Sequence, residues 1–162
     1  MEKLLFICPK CGKRETLSSD GDTVLCSECG LSFKYTEYGM IEGIKQKTVK
    51  ELSDWQKHEI ENDLKAGIAY TTENAVMSTV KNHVETQVSS GRLTMTPKSF
   101  KVGQFEVSVS DMSDLAMHGQ NAVVFSVGKD YYEVITPKDT NALKFMLYFG
   151  AIKNKALTEA KI

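Results

Sequence analysis

The sequence predicts an α+β protein with a small cysteine-bearing unit, a linking helix and an antiparallel sheet that ends in a second helix. Three observations predict this class. All four cysteines lie within the first 30 of 162 residues. One segment near residue 50 carries apolar residues at helical spacing, and most of the sequence after residue 70 alternates apolar and polar residues, as β-strands do. The length permits one medium domain or two small ones.

The cysteines form two C-x2-C pairs with fourteen residues between them, and a glycine follows each pair. Glycine permits backbone conformations that a side chain hinders, so each pair can turn tightly around one ion. Four thiolates at this spacing suit tetrahedral Zn²⁺ and leave no position open for water or substrate, which predicts a structural ion. An iron site of the rubredoxin type and a redox dithiol remain alternatives. The predicted ligands are Cys8, Cys11, Cys26 and Cys29.

The stretch between the two pairs predicts a small hairpin. Ser19–Asp22 contains an Asp-Gly turn, Thr23–Leu25 forms the returning arm, and Leu31–Tyr35 continues as a further strand. A unit of about 40 residues buries little surface, so the metal is expected to supply much of its folding free energy.

A helix is predicted over Thr48–Leu64. Thr48 and Glu51 have the spacing of a capping box, and Trp55 is expected to pack the helix onto its own domain. One side of this helix is predicted to be buried: Val49, Leu52, Trp55, Gln56, Glu59, Ile60 and Leu64.

Period-two alternation predicts several strands from about Asn74 onward, followed by a helix over Asp139–Lys155. Gly, Asn, Asp and Pro separate most of these strands. After the strand that begins near Asn74, the predicted strands are Val84–Val88, Gly91–Thr96, Ser99–Val102, Phe105–Ser110, Ala122–Val127 and Tyr131–Ile135.

Histidine and acidic residues are present, but no catalytic constellation is predicted. His58 and Asp63 have the H-x4-D spacing of some acyl-transfer sites, yet residues five apart on a helix point about 140° away from each other. His83 and His118 have no nucleophile motif beside them. The sequence also contains no phosphate loop or dinucleotide fingerprint. We therefore predict no catalytic residue in this chain.

The charge is balanced, with 41% apolar and 25% charged residues and a net charge of −1. Residues 1–70 have a net charge of −2 and residues 71–162 one of +1, which disfavours a protein that binds nucleic acid mainly through phosphates. No apolar run is long enough to span a bilayer, and the first residues lack the apolar core of a signal peptide, so a cytoplasmic location is expected. A patch for an anionic ligand such as a lipid headgroup is a weaker hypothesis than scattered surface charge; its residues are Lys81, Arg92, Lys98 and Lys101.

Two segments resemble known families. Cys8-Pro9-Lys10-Cys11-Gly12 resembles the knuckle of a zinc ribbon. Ala122–Gly128, Tyr131–Val134 and the helix from Asn141 resemble a pleckstrin-homology (PH) or GRAM-like domain, which implies a PH-like antiparallel β-barrel or sandwich. The order of ribbon, helix and PH-like domain is similar to a C-terminal extension of some bacterial lysophosphatidate (1-acyl-glycerol-3-phosphate) acyltransferases. This resemblance implies a context of phospholipid synthesis and carries over no catalytic residue.

The sequence thus predicts a zinc ribbon over 1–44, a linking amphipathic helix over 45–69 and a PH/GRAM-like domain over 70–162. We expect a non-enzymatic module that positions a protein partner or an attached enzyme, with peripheral contact at the inner membrane face. The alternatives are a ribbon that binds nucleic acid or the transcription machinery, and a fragment of an acyltransferase whose catalytic domain lies outside this chain. The first alternative ranks lower because residues 1–47 hold seven basic and seven acidic side chains.

Overall fold

The computed structural model describes residues 4–82 and 84–160, which form two compact units, Met1–Glu59 (unit 1) and Ile60–Ile162 (unit 2). The boundary falls within the first helix. The helices are α1 (Val49–Ala66) and α2 (Leu143–Glu159), and neither has the length and apolarity that a membrane span requires. The strands of the described residues are β1 (Leu17–Asp20), β2 (Thr23–Cys26), β3 (Ser32–Tyr35), β4 (Ile41–Glu42), β5 (Tyr70–Lys81), β6 (Val84–Met95), β7 (Ser99–Val102), β8 (Phe105–Ser108), β9 (Ala116–His118), β10 (Ala122–Val127) and β11 (Asp130–Ile135).

Unit 1 contains a four-stranded antiparallel sheet in the order β1-β2-β3-β4, together with the first part of α1. The predicted hairpin is present, with Asp20 opposite Thr23 and a two-residue loop in which Gly21 has a φ of +59°. A positive φ is what such a loop requires and what glycine supplies at little cost. The core of this unit is Leu5, Val24, Phe33, Ile41 and Leu52, and Trp55 packs half-buried against it.

Helix α1 begins one residue after the predicted Thr48, and its capping differs in one detail. The Thr48 hydroxyl accepts a hydrogen bond from the Glu51 N–H (3.2 Å), as a capping box requires. The Glu51 carboxylate, however, accepts from the N–H of Lys47 (2.7 Å) and not from that of Thr48. The first bond satisfies an N–H of the first helical turn, which has no partner within the helix, and the second ties the residue before the cap to that turn.

Unit 2 is built on a seven-stranded antiparallel sheet in the order β8-β7-β6-β5-β11-β10-β9. The Phe100 ring on β7 lies 5.0 Å from the Phe125 ring on β10, although three strands separate β7 from β10. In a flat sheet four strand spacings would place them about 19 Å apart. Phe105 on β8 likewise contacts Tyr132 on β11, with ring centroids 5.3 Å apart. The sheet therefore curls around a core of aromatic and aliphatic side chains.

The predicted antiparallel strands and terminal helix are confirmed, but the prediction that the sheet closes into a barrel is wrong. Among the described strands, β8 and β9 are the two edges and do not pair with each other. After β8 the chain enters a 3-10 turn at Val109–Asp111 and then makes a single bridge, Met112 to Val127, before β9 begins. Between β8 and β9 this segment therefore makes one bridge and no ladder, and the two edges of the sheet stay unpaired with each other.

A β-bulge explains why the predicted start of the first long strand is wrong. Strand β5 begins at Tyr70, whereas the alternation of the sequence begins near Asn74. The register passes from Thr72 opposite Leu93 to Ala75 opposite Gly91, so two residues of β5 face one residue of β6. The extra residue breaks the period-two pattern. The two strands predicted over 84–88 and 91–96 are in fact the single strand β6.

Helix α2 packs on the sheet through buried aromatic residues. The Tyr148 ring stacks on that of Tyr70 at 4.4 Å, and its hydroxyl donates a hydrogen bond to the Ile68 carbonyl (2.7 Å). The buried Lys144 ammonium donates to the Thr71 carbonyl (2.7 Å). The helix begins at Leu143 and not at the predicted Asp139, because the preceding residues form a turn.

Tyr148 is expected to make unit 2 sensitive to alkaline pH. Burial, with a smaller contribution from the Asp63 carboxylate, raises the pKa of Tyr148 to about 12. The folded state therefore retains this proton more tightly than the unfolded state, so the stabilisation is complete below pH 10 and is lost as the pH rises through 12. Between pH 9 and 11 this group alone is expected to lower the free energy of unfolding by roughly 1.3 kcal/mol.

The measurement is urea unfolding at pH 9 and 11. Tyr148→Phe should lack this part of the pH dependence, whereas Tyr38→Phe should keep it, because Tyr38 is 84% exposed. Equal pH dependence in the wild type and in Tyr148→Phe would contradict the assignment.

Candidate metal centre

The four cysteines of unit 1 converge on one point. Their Sγ atoms all lie within 4.8 Å of one another, with 3.7 Å between Cys8 and Cys29 and 3.8 Å between Cys11 and Cys26. A regular tetrahedron of sulfurs about 2.3 Å from a zinc ion has edges of about 3.8 Å. The donor atoms and their spacing therefore fit a single zinc ion, and all four corners of the tetrahedron are protein thiolates.

Two loops of the same form hold the sulfurs. The Cys8 carbonyl accepts a hydrogen bond from the Gly12 N–H (2.9 Å), and the Cys26 carbonyl accepts one from the Gly30 N–H (3.1 Å). In both loops the N–H of the first cysteine also donates to a carbonyl five residues later, at 2.9 Å. The two glycines have φ angles of +70° and +67°, which favour glycine over any L side chain. This confirms the conformational reason given above for a glycine after each pair.

The surroundings of two thiols push their acidities apart. Burial raises the pKa of Cys8 to about 12. Burial also acts to raise that of Cys26, but hydrogen bonds from the Thr16 hydroxyl and from the backbone of Cys29 and Glu28 outweigh it and lower the pKa to about 6. A bound zinc ion would hold every ligand as thiolate and contribute folding free energy.

An exposed ion pair joins the two loops. The Lys13 ammonium, which follows the first loop, pairs with the Glu28 carboxylate in the second loop. Glu28 raises the pKa of Lys13, and the thiolates of Cys11 and Cys26 add to the rise. Lys13 therefore helps to offset the formal −2 charge that four thiolates leave around a divalent ion.

Two residues that sequence analysis did not assign to the site support it. The Thr16 hydroxyl lies 3.3 Å from the Cys26 sulfur, and no sequence spacing marks such a contact. The buried Gln56 of α1 accepts hydrogen bonds from the N–H groups of Phe6 (2.8 Å) and Ile7 (3.3 Å) and donates to the Leu4 carbonyl (3.0 Å). It thereby fixes the segment that enters the first loop. The sequence feature that could have indicated this role is the position of Gln56, a polar residue, on the predicted buried side of the helix.

A comparison with known families agrees with this geometry. Residues 1–33 match the model of a zinc-ribbon family described as "DNA directed RNA polymerase, 7 kDa subunit". The N-terminal segment is a zinc ribbon. The match covers about a fifth of the chain, so it describes the ribbon and not the whole protein. No curated protein matches the chain, and neither comparison supports the PH/GRAM-like or acyltransferase resemblance.

Outside the ribbon, the histidines do not assemble a catalytic site in the described residues. His58 is exposed, whereas Asp63 is buried and accepts a hydrogen bond from the Tyr70 hydroxyl at 2.6 Å. His118 is exposed and pairs with Glu133. His83 lies outside the described residues.

The four residues of the predicted anionic-ligand patch are spread along the sheet of unit 2. Lys101 on β7 lies opposite Thr94, two residues from Arg92, and Lys98 precedes β7. Lys81 on β5 lies opposite Val84, at the far end of β6. Val84 is eight residues, or about 26 Å along the strand, from Arg92. Lys81 forms an ion pair with Asp130 (2.9 Å) and Arg92 forms one with Glu73. Binding of an anion at these residues stays a prediction.

Proposed function

We propose that this chain is a non-enzymatic interaction module in which a structural zinc ion holds a binding surface in shape. The observation that carries the proposal is the closed set of four sulfurs, all within 4.8 Å of one another. A catalytic zinc keeps one position for water or substrate, and four protein thiolates fill every position of a tetrahedral ion. The zinc therefore orders the loops around it.

A protein partner is favoured by charge and by the sheet edges. Residues 1–47, which contain the whole ribbon, carry equal numbers of acidic and basic side chains, so they lack the excess of positive charge that binding to a phosphate backbone needs. The edge strands β8 and β9 of unit 2 also offer backbone groups to which a peptide can add as a further strand, and a contact there would not depend on the zinc of unit 1.

A second candidate is a role in the transcription machinery, and the family match to an RNA polymerase subunit favours it. This candidate predicts either contact with polymerase subunits or contact with nucleic acid. The two kinds of contact differ in salt dependence, because phosphate contacts weaken steeply as salt rises.

The test is affinity enrichment of the tagged full chain from its own cells, with and without nuclease, followed by quantitative mass spectrometry. Wild type and the control Ser32→Ala are expected to enrich the same proteins despite nuclease, and Cys11→Ser is expected to lose them. Ser32 is an exposed ribbon residue that ligates nothing. The same protein set with Cys11→Ser would contradict a zinc-ordered surface, and loss of the set after nuclease would favour nucleic acid.

Flotation with anionic vesicles tests the membrane context that the acyltransferase resemblance implies.

A further inference from the structure

Unit 1 contains a cleft of about 520 Å³ beside the metal loops. Pro9 and Lys10 of the first loop form part of its wall, and Leu31 follows the second loop. Ile44 and Lys45 lie in the segment after β4, and Trp55 comes from α1. Because the first metal loop and the residue after the second one form part of the wall, the shape of the cleft depends on the ion that orders these loops.

The lining combines an apolar surface with positive charge. Pro9, Leu31, Ile44 and Trp55 are half-buried and present apolar surface, and a cavity of this size falls in the range that holds small ligands or side chains. Lys10 and Lys45 are exposed, and neither forms an ion pair with a described residue. Within residues 4–82 and 84–160, no acidic residue lines the cleft. Its charge is therefore complementary to an anionic ligand that also carries an apolar group.

We infer that this cleft binds an acidic peptide segment of a partner protein, with one bulky apolar side chain against Trp55 and flanking carboxylates at Lys10 and Lys45. The inference rests on the proposed function and names the surface that carries it. A peptide is favoured over a nucleic acid because two lysines and one aromatic ring do not form the extended basic track with repeated stacking positions that single strands use. The contact area is small, so the affinity is expected to be weak, with a Kd of about 100 μM, and to fall as salt rises.

Trp55 makes the test direct, because it is the single tryptophan of the chain. The full zinc-loaded chain is titrated with the capped peptide Glu-Asp-Leu-Phe-Glu-Asp while Trp55 emission is recorded. Matched probes are Lys-Lys-Leu-Phe-Lys-Lys, which reverses the charge, and Glu-Asp-Gly-Ser-Glu-Asp, which removes the apolar side chains. Only the first peptide is expected to give a saturable blue shift.

Two variants separate the cleft from general charge. The double variant Lys10→Glu with Lys45→Glu is expected to bind the acidic peptide at least about tenfold more weakly. Lys34→Glu, which changes an exposed lysine of β3 that does not line the cleft, is expected to bind it as the wild type does. Zinc content of one ion per chain confirms that each variant retains the ribbon.

The inference is overturned if the acidic peptide gives no saturable change up to about 2 mM, well above the expected Kd. It is also overturned if the basic peptide binds equally, if the double variant binds as the wild type does, or if only an oligothymidylate shifts the emission. These failures differ from failure of the proposed function. If the double variant still enriches the zinc-dependent partners that Cys11→Ser loses, the module stands and another surface carries the contact.

Discussion

Cys11→Ser is expected to lower the zinc affinity by more than about 100-fold. Mutation of residues that only hydrogen-bond to metal ligands already lowers metal affinity by about 10–100-fold, and Cys11 is itself a ligand. Unit 1 is expected to unfold with the loss of the ion. The hydrophobic cluster of unit 1 around Phe33 contains five buried apolar side chains, and Phe6 and Ile7 are buried as well, whereas structural zinc contributes about 10–16 kcal/mol in small zinc-binding units. Cys11 is exposed, so serine there changes almost no packing and the effect reports the lost ligand.

The measurement joins metal content with Trp55 emission, which reports on unit 1. Cys11→Ser, or wild type after removal of zinc by a chelator, should show red-shifted emission and no cooperative thermal transition of unit 1. Ser32→Ala should match the wild type. If the zinc-free chain keeps both the emission maximum and the unfolding midpoint of the loaded protein, the metal is not structural.

Gln56→Leu is expected to destabilise unit 1 by about 2–6 kcal/mol, because it removes the acceptor of two buried N–H groups, at about 1–3 kcal/mol each, and the donor to the part-buried Leu4 carbonyl. Gln56 is 2% exposed, and its amide supplies hydrogen bonds to Leu4, Phe6 and Ile7. Leucine has nearly the same size but can neither donate nor accept. The lost bonds therefore account for most of the change.

Urea unfolding of the zinc-loaded chain, followed by Trp55 emission, measures this effect. Amide exchange at Phe6 and Ile7 gives a second readout and should accelerate in Gln56→Leu. The matched control Gln87→Leu makes the same substitution at an exposed position of β6 and should change stability little. A loss below about 1 kcal/mol with unchanged exchange at Phe6 and Ile7 would show that Gln56 does not hold this segment.

The metal centre could be predicted because its determinants are local in the sequence. Each loop brings two sulfurs together within four residues, and the glycine that follows supplies the positive φ the turn needs. Helix α1 could be predicted for the same reason. Its capping threonine lies three residues before Glu51, and the residues of its buried side recur every three or four positions.

The sheet of unit 2 could be predicted only in part, since its details depend on contacts between distant residues. The bulge at Glu73 and Asn74 interrupts the alternation of apolar and polar residues in β5, so the first residues of this strand do not follow the pattern. The three-residue β9 is too short to show a period. The curl that brings Phe100 to Phe125 depends on the whole strand order. Likewise, the pairing of Arg92 with Glu73 arises from the register across two strands, which spacing along one strand does not reveal.

The pairing of β5 with β11 has a consequence for how the chain folds during synthesis. β5 to β8 are neighbours along the chain, and so are β9 to β11, but the residues that pair between β5 and β11 are 53 to 59 positions apart. One edge of β5 therefore has no partner until the ribosome has delivered β11. Loop closure over this distance is an entropic cost that local hairpins do not carry, so we expect the joining of the two halves of the sheet to be slower than formation of the hairpins. Through that interval the nascent chain presents an unpaired strand, the kind of surface that chaperones cover and that aggregates recruit.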